Sequence, residues 1–119
     1  MFKIRKEQMD AQSKAVRENF EDRLIEFLCG EFPEAKEAPP QKLRLAVREQ
    51  IDHATAYGLK EERYVAVYLV TAWLLGQKFD TEFPAAHEIL SSKMRTPAAK
   101  AEDLEKLTER LFVALEEEG

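Results

Sequence analysis

Apolar residues along this chain recur mostly at steps of three and four, the period of an α-helix buried along one side. Met9, Val16, Phe20, Leu24, Phe27 and Leu28 form such a stripe. Arg17, Glu18, Glu21, Asp22 and Glu26 read as the solvated face opposite it. The pattern predicts a first helix over about 6–29, stopped by Gly30 and followed by Pro33. Before it, Phe2 and Ile4 alternate with Lys3 and Arg5, as in an extended arm over the protein's own core. Residues 33–40 read as a linker. Leu43, Val47, Ile51 and Ala54 mark a second helix, with Pro40 in its first turn, where a missing N–H costs nothing. Gly58 fits the left-handed position after that helix, and Leu59 would cover its end.

From Tyr64 onward nearly every face is apolar up to Leu75, with Thr71 the one interruption. A helix apolar all round is one surrounded by others, so the segment at about 61–75 is expected at the centre of the fold. Gly76 ends it. Residues 77–83 read as a loop pinned by Phe79 and Phe83. A short helix is predicted over about 84–91, with Ile89 and Leu90 facing inward. Thr96-Pro97 supplies an N-cap and a first-turn proline for a last helix, whose stripe is Leu104, Leu107, Leu111 and Leu115. Its end carries Glu116, Glu117 and Glu118 where the helix dipole disfavours negative charge, so fraying is expected there. The fold class is therefore all-α: a single domain, 1–119, forming a small irregular or orthogonal bundle of about five helices around 61–75.

Composition supports this reading. A chain of 119 residues with 45% apolar and 34% charged residues, four Gly and five Pro suits one charge-rich helical core. The 64–75 run is far short of the ~20 apolar residues a bilayer requires, so no membrane partner is expected. The net charge of −5 also disfavours nucleic acid. The acidity is local. From residue 97 onward three bases face seven acids, a sum of −4 that leaves the rest of the chain near neutral. Cys29 is the only cysteine, which excludes an intrachain disulfide. Residues 1–6 contain no apolar signal region, and a cytoplasmic chain is expected.

Candidate chemistry is sparse. His53 shares a helix face with Glu49 and adjoins Asp52, and His87 adjoins Glu88, but neither gathers the three or four ligands of a metal site. Cys29 sits at a helix C-terminus, the wrong pole for stabilising a thiolate. No phosphate-binding glycine loop or nucleophile elbow appears. The second and third helices with Gly58 between them resemble a helix-turn-helix layout, yet the recognition helix would present Tyr64, Val65, Val67, Tyr68, Val70 and Trp73 to base edges. No catalytic residue, metal or cofactor is expected. What remains is surface for a protein partner. Aromatics are enriched at binding hot spots, and a small bundle cannot cover every face of one 15-residue helix. The expected partner surface is Trp73 with Gln77, Lys78, Phe79 and Phe83, with Glu105 and Glu109 offering a second, acidic face. The same apolar surplus would also serve a homodimer.

Certain landmarks carry a resemblance. They are Phe2-Lys3-Ile4 followed by Gln8, Phe32-Pro33, Ala56-Tyr57-Gly58 followed by Glu62-Arg63, Leu75-Gly76-Gln77-Lys78-Phe79-Asp80, and Glu88-Ile89-Leu90. Their order and spacing resemble a family of small bacterial proteins encoded beside type VI secretion spike and effector genes of the VgrG and PAAR kind. The resemblance spans most of the chain. Two places depart from it. An aromatic-Gly pair is Leu75-Gly76 here, and a Trp before Glu88 is replaced within Pro84-Ala85-Ala86-His87. The resemblance implies an accessory protein: a chaperone or adaptor holding a secreted effector, toxin or spike component, or an immunity protein blocking a toxin.

Overall fold

A computed structural model describes residues 6–118, with side chains over 15–116. The Phe2–Ile4 arm lies outside the described residues, and so do the side chains of Met9, Glu117 and Glu118. The protein is all-α, and among the described residues there is no strand. Its elements are α1 (Lys6–Glu31), a 3-10 turn (Pro33–Glu37), α2 (Pro40–Ala56), α3 (Glu62–Leu75), α4 (Phe79–Glu82), α5 (Pro84–Ser91) and α6 (Pro97–Glu118). Two compact units divide within α2, one covering Met1–Val47 and the other Arg48–Gly119.

In the first unit α1 runs through Gly30 to Glu31 and stops before Phe32, which is extended at φ −128°, ψ 90°. Pro33 rather than Gly30 is therefore the stop, because a proline's ring drives the preceding residue out of the helical region. The predicted linker holds a 3-10 turn whose Ala35 is fully buried. The stripe along α1 also differs from its predicted course. Leu24 and Leu28 are buried, but Val16 and Phe27 are exposed, and Glu21, assigned above to the solvated face, is 1% exposed. Arg44 Nη1 donates to Glu21 Oε1 at 3.0 Å, and Arg44 Nη2 bonds the neighbouring Asp22. The inward stripe is thus Glu21–Leu24–Leu28, still at helical steps of three and four.

The second unit begins with the latter part of α2, which ends as expected at Gly58 (φ +91°). Leu59 N–H donates to the Ala54 carbonyl at 2.9 Å and Gly58 N–H to the Thr55 carbonyl at 3.0 Å. That pair of bonds is a Schellman end, with buried Leu59 and Ala54 as its apolar contact. α3 buries Val65, Tyr68, Leu69, Thr71 and Ala72, and it packs on α6 and α4. It ends at Gly76, whose φ of +114° and ψ of 154° are tolerated only by glycine. Within residues 77–83, read above as a loop, the chain makes the one-turn helix α4. Phe83 is extended before Pro84, and that pre-proline restriction holds α4 to a single turn. The six α-helices described exceed the expected count by this turn. Thr96 caps α6 by accepting the Ala99 N–H at 3.1 Å.

Candidate functional site

The predicted surface residues fall into three groups. Gln77 and Lys78 are exposed, and Trp73 is 36% exposed on α3. Glu105 and Glu109, one turn apart on α6, are exposed as well. Phe83 is half-buried. Phe79 is a correction: it is fully buried, with its ring centroid 4.8 Å from that of Tyr68 and tilted by 56°. A one-turn helix aims it inward, so it supports the α3–α4 surface from beneath and is not available to a partner.

Below that surface lies a polar cluster. The Tyr57 hydroxyl donates to Asp80 Oδ2 at 2.8 Å, and Asp80 is 8% exposed. Tyr68 lies alongside, its ring centroid 6.3 Å from that of Tyr57. Gln50 Nε2 donates to the Gln77 carbonyl at 3.2 Å, and Lys100 Nζ donates to the Tyr57 carbonyl at 2.8 Å. The end of α2, the turn after α3, α4 and the start of α6 are therefore tied together. The Tyr68 hydroxyl, Gln50 Oε1 and His53 Nδ1 are buried without a hydrogen-bond partner among the described residues.

Burial pushes the Tyr57 phenol up to about 12, with the Asp80 hydrogen bond and charge acting in the same direction. Burial raises Tyr68 as well, with the charges of Asp80 and Tyr57 adding to it. A phenol raised in the folded state keeps its proton where the unfolded chain has lost it. Its stabilising contribution is complete below the ordinary value near 10 and is lost as pH climbs towards 12. Thermal midpoints measured from pH 8 to 12 are therefore expected to fall steeply above pH 10. Tyr57→Phe is expected to make that fall shallower, and an unchanged slope would remove Tyr57 from the account.

The surface above this cluster is larger than the sequence pattern indicated. Lys100 on Tyr57 joins the start of α6 to the turn after α2, and a cleft lined by Gly58, Tyr64, Thr96 and Pro97 lies where α3 and α6 begin. The two helices pack on one another. α6, with 22 residues, is longer than α3, with 14, and burial fades along it. Leu104 is fully buried, Leu107 and Leu111 are half-buried, and Phe112, Val113 and Leu115 are 38%, 47% and 61% exposed. Leu74, beside Trp73, is 38% exposed. The stripe over Leu104–Leu115 was legible; that burial fades towards its end was not.

Glu102, Glu105, Glu109 and Glu116 are exposed along α6, and of these Glu102 is paired with Lys106 at 3.2 Å. His53 and Cys29 are half-buried, and among the described residues no three His, Cys, Asp or Glu side chains gather as a metal site would require. No described helix is long and apolar enough to cross a membrane. The chain matches no family model, no curated protein and no solved structure.

Proposed function

We propose that this chain is a non-enzymatic accessory protein of type VI secretion that acts in the bacterial cytoplasm as a chaperone or adaptor. Its partner would be a secreted effector or a spike component of the VgrG or PAAR kind. The observation that supports this reading is the apolar end of α3 and α6, where Trp73, Leu74, Phe112, Val113 and Leu115 are exposed within two neighbouring helices. Single exposed apolar residues are ordinary, and Met94 or Leu45 calls for no explanation. Five large exposed side chains on two helices that pack on one another suit the apolar face of a helix or an extended segment. The family resemblance supplies the kind of partner.

The test is co-purification with the products of neighbouring genes. A partner that binds through this end should lose at least 100-fold in affinity when Leu74→Glu and Phe112→Glu are combined, because truncating or charging a hot-spot anchor costs about 2 kcal/mol or more. Co-purification of none of the neighbouring products, together with full toxicity of each toxin on co-expression, would sink the proposal. A second reading, immunity to a toxin, draws on the exposed acids of α6, since an acidic face complements a basic enzyme cleft. Reversal by Glu105→Lys and Glu109→Lys separates the two. It should abolish binding in the immunity reading and leave it intact in the chaperone reading.

A further inference from the structure

Between α5 and α6, within Arg48–Gly119, lies a cleft of about 280 Å³. α5 presents Ala85, Glu88 and Ile89 to it, and α6 presents Asp103, Lys106, Leu107 and Arg110. Each set follows helical spacing and so occupies one helix face. Ala85, Ile89 and Leu107 form an apolar floor. Arg95, Lys106 and Arg110 stand with Glu88 and Asp103 along the cleft, and Glu102 reaches Lys106 from beside it, so the charges balance.

The donors are only partly used. Arg95 Nε donates to Asp103 Oδ2 at 2.8 Å, which neutralises that carboxylate and leaves the two terminal amino groups of the guanidinium. Lys106 is held by Glu102 in a pair with both side chains more than half exposed, weak enough to yield to a better acceptor. Arg110 makes no ion pair among the described residues, and neither does Glu88 on the opposite wall.

We propose that this cleft binds the C-terminal residue of a partner polypeptide, with its apolar side chain on Ala85, Ile89 and Leu107 and its free carboxylate on Lys106 and Arg110. The size and the juxtaposition select this ligand. A space of about 280 Å³ holds one or two residues, and within a polypeptide only the chain end joins a carboxylate directly to a backbone carbon bearing an apolar side chain. An internal Asp or Glu would place a polar stem over the apolar floor. Arginine's planar fork matches a carboxylate in two parallel bonds, and Glu88 stands across the cleft as an acceptor for the terminal residue's amide N–H. This inference does not rest on the apolar end of α3 and α6, which is a different surface.

The test uses the full chain and a fluorescein-labelled hexapeptide ending in two leucines, prepared as free acid and as C-terminal amide. Fluorescence anisotropy should show the acid binding at least tenfold more tightly than the amide, and the difference should shrink as salt is raised. Combining Lys106→Ala with Arg110→Ala should cost the acid at least tenfold and leave the amide unchanged. Both residues are exposed, so circular dichroism should show an unaltered fold. Equal affinity for acid and amide, no binding of the acid at millimolar concentration, or full affinity in the double variant would each overturn the proposal.

Discussion

Phe79→Ala is expected to destabilise the protein by about 3–5 kcal/mol, measured by urea denaturation, without a specific effect on any partner. The ring is fully buried and meets Tyr68, itself fully buried, at 4.8 Å. Deleting it removes the transfer energy of an aromatic side chain and leaves a cavity beside the cluster of Tyr57, Tyr68 and Asp80. A four-residue helix has little stability of its own, so α4 depends on this anchor to hold its place. A loss of that size is a large part of the roughly 5–15 kcal/mol by which a domain of this kind is stable. Trp73→Ala provides the contrast. The residue is 36% exposed and so still largely covered, so stability should fall by less than for Phe79→Ala, by about 1–3 kcal/mol, while partner affinity falls as well. If Phe79→Ala keeps wild-type stability and loses only binding, the ring belongs to the interface and its assignment to the core is wrong.

The two aromatics were indistinguishable as residue types. Both lie near the end of the apolar run, and both suit a hot spot. What separates them is the turn after Gly76, whose positive φ redirects the chain and starts a one-turn helix on Gly76 and Lys78 carbonyls. The glycine could be read as a helix end, but not the direction the chain takes after it. Elsewhere local signals were sufficient. Gly58 with Leu59, Thr96 with Pro97, and the apolar run of α3 each act within a few residues, and each stands where the pattern put it. The apolar end of α6 was half legible. Leu111 and Leu115 were assigned to the core stripe, but Leu111 is half-buried and Leu115 and Phe112 are exposed, because helical spacing gives a face and not how far along it the cover extends. Glu21 failed for the opposite reason. A carboxylate reads as solvated unless its counter-charge is known, and Arg44 lies 23 residues away in sequence.

That pair gives the second large effect, in the first unit. Arg44→Ala is expected to cost about 1–3 kcal/mol in urea denaturation. Glu21 is 1% exposed, and removing Arg44 takes from its desolvated charge one of the partners that compensate it. The upper end of the usual range is not reached, because Arg44 itself is 36% exposed and part of its interaction, the bond to Asp22, lies at the surface. Asp22→Ala should therefore cost less than about 1 kcal/mol, which assigns the effect to Glu21 although Asp22 is also bound by Arg44. Replacing both partners, Glu21→Leu with Arg44→Leu, should recover part of the loss, since an apolar pair of similar volume requires no desolvated charge. The expected ordering is wild type first, then the double variant, with Arg44→Ala below both. If the double variant is as unstable as Arg44→Ala, the pair contributes through more than charge compensation, and the polar stripe of α1 is needed for its packing.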